Sequence, residues 1–429
     1  MRKIPPLHIS LFASACASLL LAACSHAPTT PAAAPAPSTV VVPAEVSTAP
    51  STVILVSVDG LRATTIGTGV MPTVDAIAAS GVHAAWLTPS YPTQTFPNHY
   101  TLVTGLRPDH HGIVHNHMRD AVLGNFVSKG TSALDGRWWG GEPIWVTLQK
   151  QGGIAATMFW PGSEAEIAGQ RPRYYMTYNK QMPANARVDK VLAWLDLPAA
   201  QRPGLVTLYF ENYDVAAHAT GADSEESINA LKTVDVALAR LRDGLHSRGL
   251  DASTDLIVVS DHGMITVRSE DVRYLDDLVP ANSIQVIHTG PLAGLNPKRG
   301  HVQQVEKVLL GRHDHYECWR KQDLPARWQY GHNPRVPAIL CQADPGWRVV
   351  MHGMPESTQR SGEHSYAPEA PEMRATFVAT GPDFIDGTQL PAFDNVEVYP
   401  LLARLLHITP AANDGSVDPL LPALRDASP

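Results

Sequence analysis

The chain has 429 residues, 44% of them hydrophobic and 17% charged, which is enough apolar material to bury a large core and too much for a disordered segment. A formal net charge of −8, with no block of Lys and Arg, excludes general binding to a nucleic-acid backbone and leaves room only for a local basic pocket. The length predicts one large domain, or one with an insertion.

At the N-terminus Arg2 and Lys3 precede the apolar stretch "LHISLFASACASLLLAAC", which ends in small residues, the pattern of a cleaved secretory signal. Its last tetrapeptide, "LAAC", resembles the bacterial lipoprotein signal, in which the cysteine, here Cys24, becomes the lipidated first residue of the mature chain. Residues 1–23 are therefore expected to be removed, and the Pro/Ala/Thr-rich residues 24–50 to form an extended tether without a packed core. The protein is expected to be exported, periplasmic or anchored at the outer membrane, and to touch a membrane only through that lipid. Export places the two cysteines of the folded body, Cys318 and Cys341, in an oxidising compartment, where a disulfide with a closure entropy of about 3 kcal/mol is expected.

The folded body is expected over residues 51–425. Within it, the runs Val53 to Val58, Leu205 to Phe210, Leu256 to Ser260 and Thr376 to Thr380 are continuous and not alternating, which predicts buried parallel strands. Between them lie helical patterns, "MPTVDAIAASG", "RVDKVLAWLDLP" and "EESINALKTVDVALARLRDGLHSRG", the last with apolar residues three and four apart and a Gly stop. Such alternation predicts an α/β fold, a mostly parallel central sheet with helices on both faces. Residues 265–360 are richer in His, Pro, Trp and short strand-like pieces and interrupt the alternation before "MRATFVATGPD" resumes it. They are expected to form an inserted capping region that holds the cysteine pair. There is no internal repeat.

In an open parallel sheet, ligands collect outside the carboxyl ends of the strands, where adjacent loops converge. Those ends here carry Asp59, Asp214 and Asp261, with His218 four residues after the second and His262 directly after the third. Any one of these aspartates is as readily a helix cap or a turn former. Three together, two with an imidazole close by, point to metal. Mixed carboxylate and imidazole ligands suit Zn²⁺, and these five side chains with one further His suffice for two ions, the clamp used for in-line phosphoryl displacement. For a nucleophile, "SYPTQTFPNHYTLVTG" offers both Thr93 and Thr95, in a Pro-punctuated loop before a helix-like segment. Coordination to a dication would lower the pKa of either hydroxyl, and a helix N-terminus behind it would favour an anion.

The stretches "VSVDGLR", "PTQTFPNHYTLVTGLRPDHHGIVHN", "FWPGSEAEI", "LYFENYDVAAH", "VSDHGM" and "GEHSY", in this order from about residue 53 to 410, together resemble the nucleotide pyrophosphatase/phosphodiesterase family of the alkaline phosphatase superfamily, particularly its bacterial secreted members. The resemblance implies an alkaline phosphatase-like fold with a capping insertion and two Zn²⁺ per chain. It makes Thr95 the nucleophile and a ligand of one metal with Asp59, Asp261 and His262, and gives the other metal Asp214, His218 and His364. It makes Asn116 the donor to the non-bridging phosphoryl oxygens, and Phe96, Tyr178 and Tyr209 the aromatic residues that hold a nucleobase. Two positions depart from the family pattern, Ala217 and Ser365, each replacing a usual Gly without removing a ligand. The implied activity is hydrolysis of nucleotide phosphodiester and phosphoanhydride bonds through a covalent phospho-threonine, by a monomer acting on small nucleotides. The alternatives are a phosphodiesterase of lysophospholipid or phosphocholine-type substrates and a non-catalytic surface-binding lipoprotein.

The chain has 19 histidines, more than any site needs. His110, His111, His115, His117, His313 and His315 are expected in structural or surface roles, since the ligand set is already complete without them. Trp138, Trp139, Trp145 and Trp160 are expected in the core or in a pocket wall.

Overall fold

The first apolar run of the folded body becomes β1 (Thr52–Val58), every residue of which is buried. Successive side chains of a strand point to opposite faces, so a strand covered on both sides must be apolar throughout. Val53 and Leu55 enter one core cluster, and Ile54, Val56 and Val58 the other. The structure, a computed structural model, describes residues 52–353 and 361–426. The expected signal segment, tether and Cys24 lie outside them.

After β1 come β2 (Val82–Ala84), β3 (Ala155–Met158), β4 (Tyr174–Met176), β5 (Leu205–Phe210) and β6 (Thr254–Val259). There follow β7 (Ile284–His288), β8 (Leu292–Pro297), β9 (Gly311–His313), β10 (Tyr316–Arg320) and β11 (Ile339–Ala343), then β12 (Phe377–Thr380) and β13 (Thr388–Leu390). An eight-stranded central sheet has the order β13-β2-β12-β6-β1-β5-β3-β4. β1 pairs in parallel with both β5 and β6, which brings three strand ends side by side. β12 corrects an expectation: it runs antiparallel to both of its neighbours, β6 and β2. A continuous apolar run reports burial on two faces, and it holds no information on strand direction.

Helices cover both faces, as the alternation predicts. α1 (Pro72–Ser80), α3 (Ala184–Leu195) and α5 (Glu225–Ser247) bury Ile77, Val188, Val191, Val234 and Leu238 against one face. α2 (Thr95–Thr104) and α6 (Val398–Leu405) bury Leu102, Val103, Leu401 and Leu402 against the other. The start of α5 is chemically marked: Ser224 accepts the Ser227 N–H, and Glu225 and Glu226 meet the positive end of the helix. Between α3 and α5, α4 (Asn212–Thr220) follows β5 almost without a loop. Among the described residues no helix is long and apolar enough to cross a membrane.

Residues 284 to 343 form a separate five-stranded antiparallel sheet in the order β7-β8-β11-β10-β9. Cys318 on β10 lies opposite Cys341 on β11, and the two form a disulfide. Trp138, Trp145 and Trp160 are buried core residues, as is Trp139.

Candidate active site

The site stands where β1, β5 and β6 end. Asp59 is the first residue after β1, its N–H still bonded to the carbonyl of Phe210 at the end of β5. β6 runs into Asp261 and His262, both fully buried. Gly263 follows because the chain passes hard against a neighbouring segment: a Cβ there would lie 1.8 Å from the Glu372 carbonyl oxygen. α4 carries Asp214 and His218 one turn apart on one face, with 3.3 Å between Oδ1 and Nε2. His364 arrives from the far end of the chain and stacks on His262, ring centroids 3.8 Å apart.

All the expected metal ligands are thereby brought together. Ligand atoms of Asp59, Asp261 and His262 lie within 4.8 Å of one another, and so do those of Asp214, His262 and His364. His262 belongs to both groups, while His218 stands beside the second through Asp214.

The backbone aims the imidazoles. Nδ1 of His218 lies 2.7 Å from the Gly362 carbonyl, Nδ1 of His262 2.8 Å from that of Gly263, and Nδ1 of His364 2.9 Å from that of Thr93. A carbonyl only accepts, so each Nδ1 carries a hydrogen, and Nε2 of each ring, when neutral, presents a lone pair to the site. Facing them, Asp59 Oδ1, Asp214 Oδ1 and Asp261 Oδ2 are buried without a hydrogen-bond partner. Burial, then Asp261 and Asp214, push the Asp59 carboxyl well above the usual carboxylate range. Burial, then His262 and His218, hold His364 well below the usual imidazole range, which keeps it neutral. Lone pairs of nitrogen and oxygen packed against one another out of water need cations between them, and this donor set fits divalent ions.

Thr95 is the first residue of α2, and its Oγ1 opens on the cavity 3.3 Å from His262 Nε2. Thr93 is fully buried, and its hydroxyl is committed to the Tyr366 carbonyl at 2.8 Å. The two candidate hydroxyls are thus separated by the turn into the helix. Asn116 lines the cavity, and its Oδ1 accepts the Phe96 N–H at 2.9 Å, which leaves the amide nitrogen as its outward donor. Gln94 Oε1 accepts the Asn116 N–H and so ties that loop to the start of α2.

Two of the three expected aromatic residues stand in the cavity wall, Phe96 and Tyr209. Tyr209 has a second tie that its sequence position does not reveal: its hydroxyl donates to Asp59 Oδ2 at 2.5 Å. Tyr178 stands outside that wall, half-buried, with its ring edge against Phe159 at 5.5 Å.

Sequence reasoning missed several neighbours. His99, four residues after Thr95 on α2, reaches the Thr95 carbonyl at 2.9 Å and Asp261 Oδ2 at 3.2 Å through Nδ1, while Nε2 meets Ser57 Oγ at 2.8 Å. The helical spacing from Thr95 is the one signal that could have found it. His115 and His117, expected in structural or surface roles, are cavity-wall residues, and His115 stacks on His288 at 3.6 Å. His288 reaches that position because Gly294 beneath it lacks a side chain; a Cβ would come within 2.4 Å of its Nε2. Lys129 and Glu363 complete a cavity of about 510 Å³.

Residues 53–367 match the sequence profile of the family described as type I phosphodiesterase / nucleotide pyrophosphatase. The chain is 37% identical over 376 residues to ectonucleotide pyrophosphatase/phosphodiesterase family member 3 of Rattus norvegicus, covering 85% of this chain and 43% of that protein. It is 38% identical over 378 residues to a venom phosphodiesterase of Macrovipera lebetinus, covering 85% and 44%. The chain thus spans less than half the length of these relatives. A Schizosaccharomyces pombe protein named as an uncharacterised pyrophosphatase/phosphodiesterase is 34% identical over 392 residues and is covered to 81% of its length. Among solved structures, murine ectonucleotide pyrophosphatase/phosphodiesterase 5, in an inactive form in complex with AMP, superposes with a TM-score of 0.83 at 33% identity, covering 87% of this chain and 100% of that one.

Proposed function

The chain belongs to the type I phosphodiesterase / nucleotide pyrophosphatase family, and from that premise we propose that it hydrolyses phosphodiester and phosphoanhydride bonds of nucleotides, for example a nucleoside triphosphate to the monophosphate and pyrophosphate. The observation that supports this most is the Thr95 hydroxyl at the start of a helix, opening on a cavity whose floor is the Asp/His cluster.

Asp59, Asp261 and His262 with Thr95 would hold one dication, and Asp214, His218 and His364 a second. Two zinc ions so held would supply Lewis-acid charge at the phosphoryl oxygens and a lowered pKa for the hydroxyl beside them. Thr95 Oγ1 attacks phosphorus in line; the Oγ1–P bond forms as the bond to the leaving oxygen breaks and the hydroxyl proton passes to solvent, which yields a phospho-threonine. Water then attacks the same phosphorus from the opposite side and restores the Thr95 hydroxyl. Two inversions give net retention at phosphorus.

Each remaining side chain has a stated task. The Asn116 amide nitrogen donates to a non-bridging oxygen as its charge grows, and the start of α2 adds positive backbone dipole at the same place. The carbonyls of Gly362, Gly263 and Thr93 fix the imidazole rings. Phe96 offers its face to the base, with Tyr209 also in the cavity wall, and Tyr178, outside that wall, is the third aromatic residue of the expected set. We place the catalytic domain at residues 51–425 with 265–360 as its cap. The protein is read as a monomer, exported and held by a lipid on Cys24.

The test is a comparison of rates on the nitrophenyl ester of thymidine monophosphate, on nitrophenyl phosphate and on nitrophenyl phosphocholine, with elemental analysis of the purified protein. The first substrate is expected to be fastest by at least about tenfold, with close to two zinc per chain. A faster phosphocholine ester would move the reading to lipid head groups.

A further inference from the structure

The cavity is far larger than one phosphoryl group requires, and its wall has a lopsided charge. Asp59, Asp214 and Glu363 line it, and among the described residues Lys129 is the sole Lys or Arg that does so. Lys129 follows the hairpin of His117–Asp120 and Gly124–Val127, which leads directly from Asn116. Its side chain is exposed and forms no ion pair with any described carboxylate.

Among the described residues no other Lys or Arg lines this space. Gln94, beside the nucleophile, is neutral and engaged by His115 and Asn116. The stacked His115 and His288 are both held neutral, because burial pushes His115 well below the usual imidazole range and His288 down to about 4. A nucleoside has no charge at neutral pH, so an ammonium gains more from a phosphate than from the base or the ribose. The charged atoms of a nucleoside triphosphate beyond the reacting phosphorus all lie on the departing pyrophosphate.

We infer that Lys129 is a specificity-determining residue, whose ammonium receives a leaving group that is itself phosphorylated and so favours phosphoanhydrides over esters with an uncharged leaving group. The inference rests on the nucleotide-hydrolase reading and deepens it. An exposed, charge-assisted contact of this kind alters relative rates by about tenfold.

The experiment compares kcat/KM for ATP with kcat/KM for the nitrophenyl ester of thymidine monophosphate, in the full chain, with metal content checked in each variant. In Lys129→Ala the ratio of the two is expected to fall about tenfold, mostly through KM for ATP. Lys129→Arg is expected to restore the ratio and Lys129→Glu to lower it further. An unchanged ratio in both the Ala and the Glu variants, including an equal loss on both substrates, overturns the inference and leaves the nucleotide reading standing. So does a wild type that cleaves the ester but not ATP. A wild type inert on both substrates overturns the nucleotide reading, and this inference with it.

Discussion

Both ends of β6 crowd buried carboxylates, and they resolve the crowding in different ways. At the carboxyl end, Asp261 meets Asp59 and His262, and His262 is one of three imidazoles whose Nε2 atoms are aimed inward by backbone carbonyls. At the amino end, Asp255 meets Asp383, whose N–H it accepts at 3.1 Å, and each carboxylate keeps one buried oxygen without a partner. Among the described residues no third His, Cys, Asp or Glu joins that pair in a ligand-like group. Burial and Asp383 instead push Asp255 up to about 7, so a proton separates the two charges. Crowded acids alone therefore do not make a metal site; nitrogen lone pairs oriented from behind do.

The strongest way to break this contrast is at the carboxyl end. Thr95→Ala removes the hydroxyl and leaves every Asp and His in place, so hydrolysis of the nitrophenyl ester of thymidine monophosphate should fall by about a thousandfold or more while bound metal stays. Steady-state kinetics and elemental analysis of one preparation check both halves. Activity within a few-fold of wild type would mean that Thr95 Oγ1 is not the attacking oxygen.

Removal of metal is the next largest effect. Without cations the Asp59, Asp214 and Asp261 carboxylates face one another and the imidazole lone pairs, so dialysis against a chelator should lower the melting temperature as well as abolish activity. Metal at a thousandfold excess over its dissociation constant would restore about 4 kcal/mol. Identical melts with and without the chelator would contradict the cation-dependent floor.

What could be foreseen from sequence follows the same line. Asp59, Asp261 and His262 were legible because strand ends and ligands coincide along the chain, and Asp214 with His218 because one helical turn separates them. His364 lies about a hundred residues further on with no pattern of its own, and only the resemblance to a family singled it out. Thr93 and Thr95 were inseparable because the start of α2 decides between them, and that is a matter of backbone geometry. The direction of β12 was not legible, since burial on two faces is the same for either direction. Lys129, His288 and Glu363 reach the cavity from a hairpin, from β7 and from the strand before His364, and their meeting depends on tertiary packing across more than 200 residues. The convergence of the floor residues was thus readable, and the membership of the wall was not.

The amino end offers a smaller and cleaner effect. In the folded protein Asp255 titrates near 7, and in the unfolded chain near 4. Between those values the folded state binds the extra proton, so stability falls as pH rises from about 4 to about 7 and then levels off. Asp255→Asn keeps an oxygen for the Asp383 N–H and places an amide donor where the proton sat, which imitates the protonated acid at every pH. The variant should therefore match wild type near pH 4 and gain on it progressively to about pH 7. Above that the gain should be constant, on the order of 4 kcal/mol, in denaturant melts of the metal-loaded protein, with the chelator-dependent loss unaltered. A gain that is the same at pH 5 and pH 8 would show that no proton is held between Asp255 and Asp383.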